Sequence, residues 1–192
     1  VGGHAYGKPS DQSDFISKNL EYFLIKNKDK IKNVFFTGDV FRKPSKEKWS
    51  KLYSFLGKDI NIIISPGNHD VGSEKKRELF NISVKQPTKF PFIYDFENFK
   101  VIIDDSTINS WQLSDKTVNI ANEVSDKKSV LLLRHNIAHR EFLPFVNSRF
   151  GLKKDLPSLF KDSSQFQREI VFIAGDGGAF SGLPRFFCKK RK

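Results

Sequence analysis

Apolar residues recur along this chain in two rhythms. Val34-Phe35-Phe36, Ile62-Ile63-Ile64, Val130 to Leu133 and Ile170 to Ala174 are short continuous runs. They are too brief for helices and rich in β-branched and aromatic side chains, so each reads as a buried strand. Phe92 to Phe96 and Phe99 to Ile103 flank Glu97-Asn98 and read as a hairpin. The second rhythm is helical. Phe15, Ile16, Leu20, Phe23 and Leu24 would share one face of a helix capped by Ser10 or Asp11. Trp49, Leu52, Tyr53 and Leu56 would share a face of another, opened by Ser45 and stopped by Gly57. Shorter helices are predicted over Glu74 to Phe80, behind Ser73, and over Lys116 to Val124. Val1 to Gly7 reads as the exit of a first strand whose earlier residues are absent. The pattern blurs over 140–166, which carries Pro144 and Pro157 and reads as an insert or lid. Strands alternating with helices are the α/β signature.

Polar residues follow these strands repeatedly. The runs end in Gly38-Asp39, in Gly67-Asn68-His69-Asp70, in Arg134-His135 and in Gly175-Asp176, and His4 lies in the exit of the first strand. Ligand sites of α/β folds lie beyond the carboxyl ends of the strands. A single histidine or Gly-Asp at a strand end is usually a hydrogen-bonded turn residue. Five such positions in succession, offering carboxylate, imidazole and amide oxygen, suit a cation such as Mn²⁺, Fe or Zn²⁺. Asp70 beside His69 would orient the imidazole for proton transfer.

Composition changes this picture little. The 192 residues include 20 Phe and fit one globular domain, 1–192, with a sizeable core. The single cysteine, Cys188, excludes an internal disulfide and favours a reducing, cytoplasmic setting. No run is long enough to span a membrane, and no signal peptide is visible, although the chain begins at Val1 without Met. The net charge of +11 points to an anionic partner: phosphoester, nucleic acid or acidic glycan. A coding bias toward Lys, Asn, Ile and Phe explains that charge equally well. No nucleic-acid reading motif is present, and basic residues are not interleaved with aromatics in one stripe.

The series Gly38-Asp39, Gly67-Asn68-His69-Asp70, His135 and Gly175-Asp176 resembles the calcineurin-like metallophosphoesterase family over nearly the whole chain. The resemblance implies a four-layer α/β/β/α sandwich of two mixed β-sheets flanked by helices. It implies that Asp39 bridges two metal positions, that Asn68 and His135 serve the second, and that His69 acts as general acid or transition-state stabiliser with Asp70 orienting it. The implied reaction is hydrolysis of a phosphate mono- or diester by a water whose pKa a metal ion has lowered, with no protein nucleophile.

The chain departs from the family at both ends of the motif series. The usual opening Asp-x-His reads Gly2-Gly3-His4, and the usual closing Gly-His-x-His reads Gly175-Asp176-Gly177-Gly178. One metal position therefore keeps only His4 and the bridging Asp39. The other keeps Asp39, Asn68 and His135, with Asp176 replacing an imidazole. The expectation is one strong site, selective for Mn²⁺ or Mg²⁺, and a weak or absent second. The opening Gly3-His4-Ala5-Tyr6-Gly7 and the closing Gly-Asp-x-Gly-Ala resemble a bacterial branch of the family, which brings Tyr6 near the site. Arg42 and Arg134 are candidate phosphate clamps. Arg134 would fill the ligand slot if the register slipped by one, and His139 is a surface residue in this reading. Family members continue past the closing motif, so the chain reads as truncated at both ends. Two rivals remain: a non-catalytic relative that keeps the fold as a binding or scaffold protein, and a nucleic-acid-binding protein or nuclease.

Overall fold

The computed structural model describes residues 1–7, 14–109, 112–125, 127–137 and 163–176. Strands β1 (Asn33–Thr37) and β2 (Asn61–Ser65) pair in parallel, and α2 (Lys46–Leu56) lies between them in the chain. Gly2 adds a parallel bridge to Phe36 on the other side of β1. The second sheet runs β3 (Phe92–Asp95), β4 (Phe99–Ile103), β5 (Ser129–Arg134), β6 (Val171–Ala174). The β3–β4 hairpin is antiparallel; β4, β5 and β6 run parallel.

Side-chain alternation sorts these strands into layers. Val34, Phe36, Ile62 and Ile64 point one way, into a cluster with Leu24 of α1 (Lys18–Asn27), Trp49, Leu52 and Leu56 of α2, and Phe80 of α4 (Glu74–Ser83). Phe35 and Ile63 point the other way, against Val101, Ile103 and Leu133 of the second sheet. The opposite face of that sheet, with Ile102, Val130 and Leu132, packs on Ala121 of α5 (Asp115–Asn122). This packing is consistent with the layered two-sheet fold that the resemblance implies; among the described residues the second sheet is mixed and the first is parallel. At the strand ends the Ser65 hydroxyl donates to the Asp104 carbonyl at 2.6 Å, so the two sheets are stitched where their polar tips emerge.

Helices α2 and α4 begin as their caps dictate. The hydroxyls of Ser45 and Ser73 accept from the backbone N–H three residues on. Gly57, with φ of 86°, ends α2 in a conformation that a side chain would strain. The start of α1 corrects the sequence reading. Ser17 is its cap, while Phe15 and Ile16 are buried ahead of it in a non-helical segment. Phe23, expected to face inward, is exposed, and Leu24 carries the helix's burial. Most of the expected insert over 140–166 lies outside the described residues, as do Ser10, Asp11, Trp111, His139, Gly177, Gly178 and Cys188. Its last residues are described: Ser163–Gln165 form a 3-10 turn, and Phe166 is buried against the α5 side.

Candidate metal centre

Four tight backbone features bring the polar strand ends together. Gly38 (φ 84°) turns the chain immediately after β1, and the next residue, Asp39, takes φ of 54°. His4 also sits in the left-handed region, at φ of 48°. Such a backbone costs a non-glycine residue about 1 kcal/mol or more, and it recurs where geometry serves function. Gly3 and Gly175 form the fourth feature. A Cβ on Gly3 would meet the Gly175 backbone, and one on Gly175 would strike the Thr37 carbonyl oxygen. Two bare backbones thus pass against the end of β1 and carry His4 and Asp176 to the same place. Gly175→Ala is expected to lose about 1–3 kcal/mol of stability through overpacking and to move Asp176, read as a lower urea midpoint with weaker metal binding.

The cluster spans both sheets. His4 Nε2 lies 3.1 Å from Asp176 Oδ1 and 3.6 Å from Asp39 Oδ2. His135 Nε2 lies 3.5 Å from Asp39 Oδ1 and 3.1 Å from Asn68 Oδ1. One ligand atom from each of His4, His135 and Asp176 falls within 4.8 Å of the others. Asp39 stands between the two imidazoles, one oxygen toward each. The five residues proposed from the sequence as ligands therefore converge, from five separate stretches of chain. His135 occupies the position toward the cluster, and Arg134 does not.

The donor set fits a cation. His135 Nδ1 is 2.9 Å from the Thr37 carbonyl, which can only accept, so in the neutral ring Nδ1 carries the proton. The Nε2 lone pair then faces the oxygens of Asp39 and Asn68, three electron-pair donors with no hydrogen among them. Histidine ligands are commonly oriented in this way, with the other ring nitrogen donating to a carbonyl. His4 faces two carboxylates. Burial lowers its pKa, but the Asp176 hydrogen bond and the charges of Asp39, Asp176 and Asp70 outweigh burial and raise it. Burial opposes ionisation of Asp176, yet His4, His135 and Asn136 hold its carboxyl below the usual value. The pocket thus favours positive charge at its centre.

Two expectations are corrected. Asp70 does not orient His69. Its fully buried carboxylate accepts from the backbone N–H of Asp39 at 2.7 Å, Gly67 at 3.0 Å and Val40 at 3.2 Å. Burial and the neighbouring Asp39 charge push its pKa up to about 7, against the pull of those three donors. Asp70 therefore ties the Gly67 loop to the Asp39 turn. The His69 ring is oriented by the Arg42 carbonyl, 3.1 Å from Nδ1. Nor is Arg134 a phosphate clamp. It is wholly buried and pairs with Asp104 at 3.3 Å, while Nη2 donates to the Gln112 carbonyl at 3.2 Å. It follows the strand alternation of β5, so its side chain and that of His135 go opposite ways.

Tyr6 and Arg42 do border the cluster. The Tyr6 ring is 5.4 Å from that of His4 and 5.5 Å from that of His69, and the Arg42 guanidinium lies over it at 5.2 Å. Burial and the Asp39 charge raise the Tyr6 pKa to about 12, opposed by Arg42, so the phenol remains a proton donor. Ser106 and Asn136 were missed by sequence reasoning. Both are buried polar residues directly following strand-end motifs, and that position was the available signal.

Fold and cluster together define a two-sheet α/β protein with a His/Asp/Asn cluster, able to hold a cation, at the seam between the sheets. The family model for calcineurin-like phosphoesterases matches residues 4–147, three quarters of the chain, and the chain belongs to that family. No curated protein matches it.

Proposed function

We propose that this protein hydrolyses a phosphate mono- or diester with the help of a divalent cation, Mn²⁺ by preference. The observation that carries the reading is the convergence of His4, Asp39, Asn68, His135 and Asp176 from distant parts of the sequence. Asp39, Asn68, His135 and Asp176 would hold the ion, with His4 assisting. When bound, such an ion polarises phosphoryl oxygens and lowers the pKa of an attacking water.

The rest of the reaction belongs to the chain's own side chains. His69 lies beside the cluster, its backbone N–H donating to Asp39 Oδ1 at 2.9 Å. With Nδ1–H donating to the Arg42 carbonyl, Nε2 is the nitrogen left to face the departing oxygen. The imidazolium form of the ring, with both nitrogens protonated, delivers the Nε2 proton to that oxygen. The Tyr6 hydroxyl and the Arg42 guanidinium, next to His69, supply hydrogen-bond donors and positive charge for the ester's anionic oxygens. Arg42 is thus both the ring's anchor, through its carbonyl, and a substrate contact, through its side chain.

The test is hydrolysis of aryl and alkyl phosphate esters with added Mn²⁺. His69→Ala is expected to slow turnover by about 10²–10⁴-fold. The loss should be larger for a poor alkoxide leaving group than for a nitrophenolate, which departs without a proton. Absence of turnover with Mn²⁺, Mg²⁺, Zn²⁺ and Fe²⁺ on both ester classes would instead favour a binding or scaffold role. Among the described residues no helix is long and apolar enough to cross a membrane.

A further inference from the structure

The geometry points to Asn136 as a positioning residue for the metal centre, with Ser106 fixing Asn136 in turn; this inference rests on the metal-binding reading above. Asn136 follows His135 directly, and Ser106 closes Asp104-Asp105-Ser106 at the end of β4. Both are buried, as is Asp176.

The hydrogen bonds run in one direction. The Asn136 backbone N–H donates to Ser106 Oγ at 3.0 Å. The hydroxyl proton of Ser106 is thereby turned toward Asn136 Oδ1, 2.9 Å away. With Oδ1 accepting there, the amide has one remaining orientation: Nδ2 faces Asp176 and donates to Oδ2 at 3.0 Å. Asp176 Oδ2 is therefore held toward Asn136, and Oδ1 is the oxygen turned toward His4 and the centre of the cluster. The Asp176 backbone is held as well, its N–H donating to the His135 carbonyl at 2.8 Å.

This arrangement answers a problem set by the sequence. An imidazole presents a ligand atom on a rigid ring, whereas a carboxylate rotates about its last bond and has two equivalent oxygens. The Ser106–Asn136 pair restricts that rotation and presents Oδ1 to the cluster. The substitution of aspartate for histidine in the closing motif is thus matched by an amide that orients it.

The experiment is calorimetric titration of Mn²⁺ into the folded chain, with urea unfolding of the metal-free protein measured alongside. Asn136→Ala is expected to weaken Mn²⁺ binding by about 10–100-fold, the usual cost of losing a partner behind a metal ligand. Ser106→Ala is expected to weaken it in the same direction by less, since the amide survives but is free to turn. Thr117→Val removes a comparable buried hydrogen bond, to Asp104 at 3.0 Å, away from the cluster. It should lower the urea midpoint and leave Mn²⁺ affinity unchanged. Wild-type Mn²⁺ affinity in Asn136→Ala overturns the inference and leaves the hydrolase reading standing. If Asn136→Ala does not fold, Ser106→Ala decides alone, and an unchanged affinity overturns it. If the wild-type chain binds no divalent cation, the metal-dependent reading and this inference fall together.

Discussion

Replacing Asp104 by alanine is expected to destabilise the fold by about 3–5 kcal/mol, the cost of breaking a buried ion pair from one side. In a chain of this size that is about 10 °C or more in Tm. Asp104 and Arg134 lie at the ends of neighbouring parallel strands, both buried, with Oδ2 and Nη1 3.3 Å apart. Burial raises the pKa of Asp104 against the attraction of Arg134, and burial lowers that of Arg134 against Asp104 and Asp105. In each partner desolvation outweighs attraction. The pair is therefore costly to halve, and an apolar replacement of both members would tolerate burial better. Asp104→Leu with Arg134→Leu is expected to recover most of the loss. The single variant also removes the acceptor of the Thr117 hydroxyl, which donates to Asp104 and helps dock α5. Urea unfolding of the single and double variants checks this. Equal instability in both would mean that packing, not the stranded charge, dominates.

The same pair shows where sequence reasoning stopped. Strands were legible because Ile62-Ile63-Ile64 and Val130 to Leu133 are buried on both faces, which leaves continuous apolar runs. Helix α2 was legible because Ser45, Gly57 and its apolar spacing agree. The start of α1 was not, since Phe15 and Ile16 enter the core from a non-helical segment and continue the helix's apparent rhythm. Arginine at a strand tip reads as a residue for solvent or substrate. Its partner is Asp104, thirty positions earlier, on the neighbouring strand, and no local pattern connects them. Asp70 failed in a similar way: adjacency to His69 implied a pair, but helix α3 (Asn68–Val71) turns its carboxylate back onto backbone N–H groups. The clustered residues His4, Asp39, Asn68, His135 and Asp176 were legible because polar residues there follow strand ends, and an α/β fold gathers strand ends by construction.

Asp39→Asn carries the largest expected effect on chemistry. The asparagine keeps the volume and can still accept from the His69 N–H, so the loop conformation set by Gly38 and Asp70 should survive. The charge between His4 and His135 disappears, and an amide NH₂ faces one of the imidazoles in place of an oxygen. A site with His4, Asn68, His135 and Asp176 retains a single carboxylate. Loss of the shared anion should weaken Mn²⁺ binding and lower kcat/KM by about a thousandfold or more, equivalent to several kcal/mol of lost charge stabilisation. Removal of the ion with a chelator should produce a comparable loss in the wild-type chain and little further loss in the variant. That non-additivity separates a residue acting through the cation from one acting on the ester directly. A variant that keeps wild-type Mn²⁺ affinity, or whose residual activity is as sensitive to chelation as the wild type's, would remove Asp39 from the centre of the site. The ester would then have to be activated by the neighbouring His69, Tyr6 and Arg42 alone.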